Sequence, residues 1–387
     1  MVIALLTLDK REPLRDYHNP APWFDAAPEA LLQGLAQFPD VKIHVVSCTQ
    51  QPMSSPEKLA DNIWFHSLHV PKIGWLRTLY QGCIRATRKK LNTIQPDIVH
   101  GQGTERNDAV GAVFSGFPNV LTIHGNMRAI AKSFHSRPGS FHWLTAHLET
   151  LALKRTNGVL CNSAYTESVV APATKKTWRV ANPVRQPFFD TPLPAPANNA
   201  PVLLNVGMLL AHKRQREILA LGERLWRRGL KFELQFAGGI ETKTAYGAAF
   251  VNELAAAEKA GYARHLGMLS GEKLIAAMDA ATAMVHAPTE ESFGLVVAEA
   301  LARNLKLFAT ATGGVGDIAT GVDGAELFPP ADVAALEPAI ANWMERGCPR
   351  PLNAAAVMRE RYHPLVIARR HLEIYREVLG GKLKTET

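Results

Sequence analysis

No run of about 18 consecutive apolar residues occurs in the 387-residue chain, which excludes a membrane-spanning helix. The apolar opening, Met1-Val2-Ile3-Ala4-Leu5-Leu6, leads directly into Asp9-Lys10-Arg11 and reads as a first strand without a signal peptide. Only four cysteines are present, Cys48, Cys83, Cys161 and Cys348, with no metal-ligand spacing and no close pair. Reduced thiols in a cytoplasmic protein are therefore the expectation. A G-x-G-x-x-G fingerprint is missing after the first strand, which argues against a nicotinamide oxidoreductase. The basic residues lack aromatic interleaving, so nucleic acid is not an expected partner.

The chain can bury more than one core, since 47% of it is hydrophobic and its length exceeds what a single core usually supports. The net charge of +8 is uneven: residues 1–190 carry 21 Lys and Arg against 14 Asp and Glu, the rest 22 against 21. Part of the excess lies in WLRTLYQGCIRATRKKL. There Trp75, Leu76, Leu79, Tyr80, Cys83 and Ile84 recur at helical spacing beside Arg77, Arg85, Arg88, Lys89 and Lys90. This predicts an amphipathic helix near 75–91 with a solvated basic face. The sharper alternative is peripheral contact with an anionic membrane, at the cytoplasmic face, or with an acidic acceptor.

Apolar strands alternate with helical segments along the first half. Val2 to Leu8, Lys42 to Cys48, Pro96 to His100, Asn119 to Gly125 and Gly158 to Asn162 read as strands, with a polar loop from Asp9 to Pro22 and helices near 26–37 and 141–155. After DTPLPAPANNAPV, poor material for helix or central strand, the rhythm restarts with Val202 to Val206, a loop to His212 and a helix from Lys213. The pattern predicts two doubly wound α/β domains with parallel sheets, residues 1–187 and 201–365, a linker at 188–200 and a closing helix at 366–387. In such sheets ligands sit at the carboxyl ends of the strands.

The stretch His286 to Ala302, HAPTEESFGLVVAEALA, reads as a strand end, a glycine turn and a helix start. A helix that opens on such a turn directs unpaired backbone N–H groups at an anion. Glu291 lies before that helix, and Glu299 about one and a half turns inside it at roughly 1.5 Å per residue. One carboxylate is thus available for each end of a hydroxyl-rich, phosphate-centred ligand. His100, His124 and His286 end strands, and Glu105 and Arg106 follow His100.

With the Gly207 loop, Lys213, Ile123-His124-Gly125, Asn182-Pro183-Val184 and Gly313-Gly314, this stretch resembles the retaining glycosyltransferase family 4 of the GT-B fold. The resemblance implies two Rossmann-like domains facing across a cleft, with the closing helix crossing back to the first. It implies a metal-independent hexosyltransferase that takes a nucleotide-diphosphate sugar, for example a UDP-sugar, as co-substrate with no cofactor, and no Asp-x-Asp motif stands out. It assigns His124, Lys213 and Glu291 to catalysis. It assigns Gly207, Lys213, Arg214, Met268, Leu269, Glu291, Ser292, Phe293, Gly294, Leu295 and Glu299 to donor binding, with Glu291 on the sugar hydroxyls and Glu299 on the ribose. The acceptor would be a carbohydrate or lipid-linked, in polysaccharide, lipopolysaccharide or glycolipid assembly. Met208 stands where similar enzymes carry arginine, and His18-Asn19-Pro20-Ala21-Pro22 replaces the usual Gly-Gly loop. A nucleotide-sugar 2-epimerase and a non-catalytic nucleotide or carbohydrate binder are the alternatives.

Overall fold

The computed structural model describes residues 1–193, 200–330 and 332–380. The chain divides into two compact units, Met1–Arg185 together with the segment from His363, and Gln186–Tyr362. Residues 194–199 of the expected linker and 381–387 of the expected closing helix lie outside the described residues.

The first unit holds β1 (Val2–Leu6), β2 (Lys42–Thr49), β3 (Lys58–Ala60), β4 (Ile63–His69), β5 (Ile98–Gln102), β6 (Asn119–Ile123), β7 (Val159–Cys161) and β8 (Thr177–Arg179). They form one sheet in the order β3-β4-β2-β1-β5-β6-β7-β8, parallel except for the β3–β4 pair. Its central strands are near-continuous apolar runs such as Val2-Ile3-Ala4-Leu5-Leu6 because helices cover both faces. The closing helix, Pro364–Val378, belongs to this unit and lies against the helix Ala26–Leu35. They approach so closely at Gly34 that a Cβ there would collide with the Pro364 carbonyl.

The second unit holds β9 (Val202–Val206), β10 (Glu233–Ala237), β11 (Ala263–Gly267), β12 (Ala283–His286), β13 (Lys306–Thr310) and β14 (Ala325–Phe328), all parallel, in the order β11-β10-β9-β12-β13-β14. The strand order reverses between β9 and β12 here and between β1 and β5 in the first unit. Such reversals open a crevice at the carboxyl ends of the strands.

Four local expectations need correction. The basic helix starts at Gln81, because Leu79 and Tyr80 are left-handed, with φ of 51° and 61°. Trp75 links two short 3-10 turns ahead of it, Lys72–Gly74 and Leu76–Thr78, and its indole N–H donates to the Val70 carbonyl at 2.9 Å. Lys213 ends a 3-10 turn, Ala211–Lys213, and left-handed Arg214 separates it from the helix Gln215–Arg227. The expected loop 9–22 contains a helical turn, Arg11–Leu14. Fully buried Arg11 forks onto Asp9 and donates to the carbonyls of Asn19 and Ser54 and to the Ser55 hydroxyl. In the expected linker, Pro187–Asp190 is a short helix held to the second unit, for buried Arg303 donates to the carbonyls of Phe188, Thr191 and Pro192.

Gly34→Ala should lower stability by about 1–3 kcal/mol, the usual cost of overpacking, although alanine is the better helix former. A urea melt showing a more stable variant would contradict the packing described.

Candidate active site

Loops that follow β9 and β12 meet at the reversal of the second sheet. The Thr289 N–H donates to the His212 carbonyl at 2.7 Å, which joins them. The ends of both loops carry charge: Lys213 Nζ lies 2.6 Å from Glu291 Oε2, and His286 Nε2, at the end of β12, lies 3.2 Å from the same oxygen. Buried His286 and half-buried Glu291 and Lys213 therefore form one constellation. In the sequence His286 is one of several histidines at the ends of apolar runs. Its place five residues before Glu291 was the available signal.

Burial by itself would push the Glu291 carboxyl upward, but the His286 hydrogen bond and the Lys213 charge outweigh it and hold the group down at about 2. Burial lowers His286, with Glu291 pulling the other way. A neutral ring then donates from Nε2, which fixes the tautomer. Glu291 is thus a permanent anion in a nearly dry site, and its unbridged oxygen can accept from ligand hydroxyls.

A glycine pair fixes the height of this carboxylate. Gly313 has φ of 55°, and a Cβ there would collide with the Glu291 carbonyl. The Gly314 N–H donates to that carbonyl at 3.0 Å, and a Cβ on Gly314 would lie 2.6 Å from Phe293 Cα. The Gly313-Gly314 requirement is therefore steric. The turn Ser292-Phe293-Gly294 ends at Gly294, with φ of 96°, which caps the helix Leu295–Ala302. Phe293 is buried edge-on to Tyr362 at 5.8 Å, and Glu299 faces inward at 2% exposure.

The remaining residues assigned to the donor line the ends of neighbouring strands. Gly207, with φ of 150°, packs against Gly238 at the end of β10. Arg214 donates to the Pro330 carbonyl at 2.9 Å. Met208 and Met268 are exposed, and their tips converge on Gly239, within 3.2 Å of where its Cβ would be. Leu269 is half-buried beside Met268.

His124 belongs to the first unit, at the end of β6. Its Nε2 lies 2.9 Å from Gln102 Oε1, and burial pushes it down to about 4, so the ring is neutral. Gln102 Nε2 approaches the buried ring of His100, which also bonds Thr122 Oγ1 at 2.7 Å and the Tyr375 hydroxyl at 2.5 Å. This polar chain joins the strand ends to the closing helix. Nothing local in the sequence signals it, because Tyr375 lies 275 residues from His100.

Among the described residues no group of three or more His, Cys, Asp or Glu side chains is arranged to hold a metal ion, and no helix is long and apolar enough to cross a membrane.

Two family models match the chain: Glycosyltransferase Family 4 over residues 29–184 and Glycosyl transferases group 1 over residues 193–361. No curated protein matches the sequence. Among solved structures, sucrose-phosphate synthase from Thermosynechococcus elongatus is similar, with a TM-score of 0.74, 17% identity and coverage of 99% of this chain and 100% of that one. The Anabaena protein HepE, in complex with UDP and glucose, gives a TM-score of 0.72, 16% identity and coverage of 97% and 100%. The lipopolysaccharide outer core galactosyltransferase WaaB, in its apo form, gives 0.68, 14%, and coverage of 99% and 100%. The fold is GT-B.

Acid titration tests the setting of Glu291. A carboxyl held at about 2, below its ordinary 4.5, contributes stability that is present above about pH 4.5 and lost as pH falls through about 2. The urea midpoint of the wild type should therefore fall between pH 5 and 2 more steeply than that of Glu291→Gln. Equal slopes would count against the constellation.

Proposed function

We propose, from the premise that the chain belongs to the glycosyltransferases of the GT-B fold, that it moves a sugar from a nucleotide-diphosphate donor to an acceptor with retention at the anomeric carbon. The observation that carries this reading is the Lys213–Glu291–His286 constellation at the reversal of the second sheet. A desolvated anion suits the vicinal hydroxyls of a sugar, since each oxygen accepts a strong charge-assisted hydrogen bond. Lys213 has three donors, so it can hold Glu291 and still reach a phosphate oxygen. HepE carries UDP and glucose, which favours a UDP-sugar donor here.

In the proposed step the bond from the anomeric carbon to the diphosphate oxygen breaks and the bond to the acceptor oxygen forms on the same face. The acceptor's proton passes to the departing phosphate oxygen. Lys213 and the first-turn N–H groups at Leu295 stabilise the charge that develops there. We assign Glu299 to the ribose and His124 to the donor sugar or leaving phosphate, as the family resemblance implies, and no metal ion has a part in the step.

The acceptor reading rests on surface chemistry. Ile73 is 73% and Leu79 46% exposed, and Lys72, Arg77, Arg85, Arg88 and Lys89 are exposed along the same segment and helix. Apolar side chains among cations suit an anionic membrane surface, where each Lys or Arg adds about 1 kcal/mol. A lipid-linked carbohydrate acceptor, in polysaccharide, lipopolysaccharide or glycolipid assembly, fits that setting.

Lys213→Ala and Glu291→Ala should each lower sugar transfer and donor hydrolysis about 10²-fold or more while the far-ultraviolet spectrum stays unchanged. The donor is found by a thermal-shift panel of UDP-, GDP- and ADP-sugars, and NMR of the product reads anomeric retention. Wild-type rates in both variants, or an inverted product, would overturn the proposal. Separately, Arg85→Glu with Arg88→Glu should reduce co-sedimentation with phosphatidylglycerol vesicles but not with phosphatidylcholine vesicles.

A further inference from the structure

We propose that Glu105 is a positioning residue, whose carboxylate fixes the main chain that carries His124; its effect on transfer rests on the role given to His124 above. Glu105 follows β5 and His124 ends β6, so adjacent parallel strands deliver the two residues to the same end of the first sheet. The Gly125 N–H donates to Glu105 Oε1 at 2.8 Å. This bond constrains the peptide immediately after His124.

The surrounding backbone is shaped to the carboxyl group. A Cβ on Gly103 would collide with Glu105 Oε2 and lie 3.6 Å from His124 Cδ2. One on Gly125 would lie 2.9 Å from Glu105 Oε1, and its other neighbours are at ordinary van der Waals distance. Gly125 does not have a left-handed φ, so the carboxyl group, rather than the backbone conformation, accounts for the missing side chain. His124 is therefore held twice, through its ring by Gln102 and through its main chain by Glu105.

A second carboxylate holds the turn that follows. Buried Glu149 accepts from the Met127 and Arg128 N–H groups at 2.9 and 3.2 Å and from the Thr104 hydroxyl at 2.5 Å. Arg128 Nε, at 3.3 Å, neutralises it. Among the described residues no cation forms an ion pair with Glu105. The charged group that bears on it is Glu149 with its Arg128; neighbouring Asp108 is itself pushed up to about 7 by burial and by Glu105, and His124 is neutral. Burial, opposed by backbone N–H bonds and aided by Glu149, pushes Glu105 up to about 7, so its acceptor strength for the Gly125 N–H changes near neutrality. The anion is the better acceptor, and the loop is best held above that pH.

A readout that needs no substrate tests the arrangement. In the ¹⁵N-labelled full chain, the Gly125 amide proton should move with pH through a midpoint near 7, and Glu105→Gln should abolish that titration. Asp108→Asn, which removes the neighbouring carboxyl that burial and Glu105 also push to about 7, should leave the Gly125 titration in place. A Gly125 amide that does not titrate, or that titrates unchanged in Glu105→Gln, overturns the proposal. With the donor found by the panel above, Glu105→Gln should lower kcat about tenfold or more, leave the donor KM within about threefold, and remove the rise of kcat with pH near 7. Gly125→Ala, which displaces the same oxygen, should lower kcat similarly and serves if Glu105→Gln does not fold. Wild-type kcat with an unchanged pH profile in a folded variant overturns the role in transfer. His124→Ala separates the causes: its full activity removes the role given to His124, whereas the Gly125 titration stands or falls independently.

Discussion

A carboxylate taken out of water must find cations or hydrogen-bond donors, and the second sheet is arranged around that requirement at Glu291. Lys213 and His286 both reach the same oxygen. They can do so because β9 and β12 flank the reversal of strand order, which brings the loop after one strand beside the end of the other. Gly313 and Gly314 let the β13 loop pass directly beneath the Glu291 peptide. A side chain at either position would lift the carboxylate off its partners. Topology, ion pairing and two missing side chains thus express one constraint.

The parts of this arrangement that depend on local chemistry were legible in the sequence. Buried parallel strands are apolar throughout, so β1, β9 and β12 read correctly, and the glycine turn before Leu295 marked its helix. Boundaries failed where the backbone departs from the helical pattern without a glycine to announce it. Leu79, Tyr80 and Arg214 all adopt left-handed conformations that L-residues seldom take. Periodicity therefore carried the basic helix back to Trp75 and the next one to Lys213. Partnerships across the fold were not legible. The His100–Tyr375 bond and the Arg303 grip on Phe188, Thr191 and Pro192 join residues more than 100 positions apart.

The departures from the family pattern acquire a physical setting. Where similar enzymes place arginine, Met208 turns its thioether toward Met268 above Gly239. Arg214, the nearest guanidinium in sequence, donates to the Pro330 carbonyl. Lys213 is then the cation aligned with Glu291, and its ammonium acts as a compact point charge rather than a planar fork. In the first unit the loop that lacks a Gly-Gly pair is instead held from within. The five guanidinium N–H donors of Arg11 are spread over Asp9, two carbonyls and a hydroxyl. Fixed loop geometry is obtained there from a buried ion pair instead of glycine freedom.

Both sheets use a glutamate to hold a loop at the carboxyl ends of their strands, but the two glutamates differ in electrostatic company. Glu291 has a lysine within ion-pair distance and a histidine N–H on the same oxygen, which together hold it at about 2. Glu105 has backbone N–H groups and the Glu149 carboxylate as company, and burial carries it up to about 7. Burial favours the neutral form in both cases, so the histidine hydrogen bond and the lysine charge at Glu291 decide which of them stays ionised throughout the physiological range. A site that must hold sugar hydroxyls at every pH needs the first kind of carboxylate. A loop that only has to keep a histidine in register can be held by the second, and its hold then weakens as pH falls below neutrality.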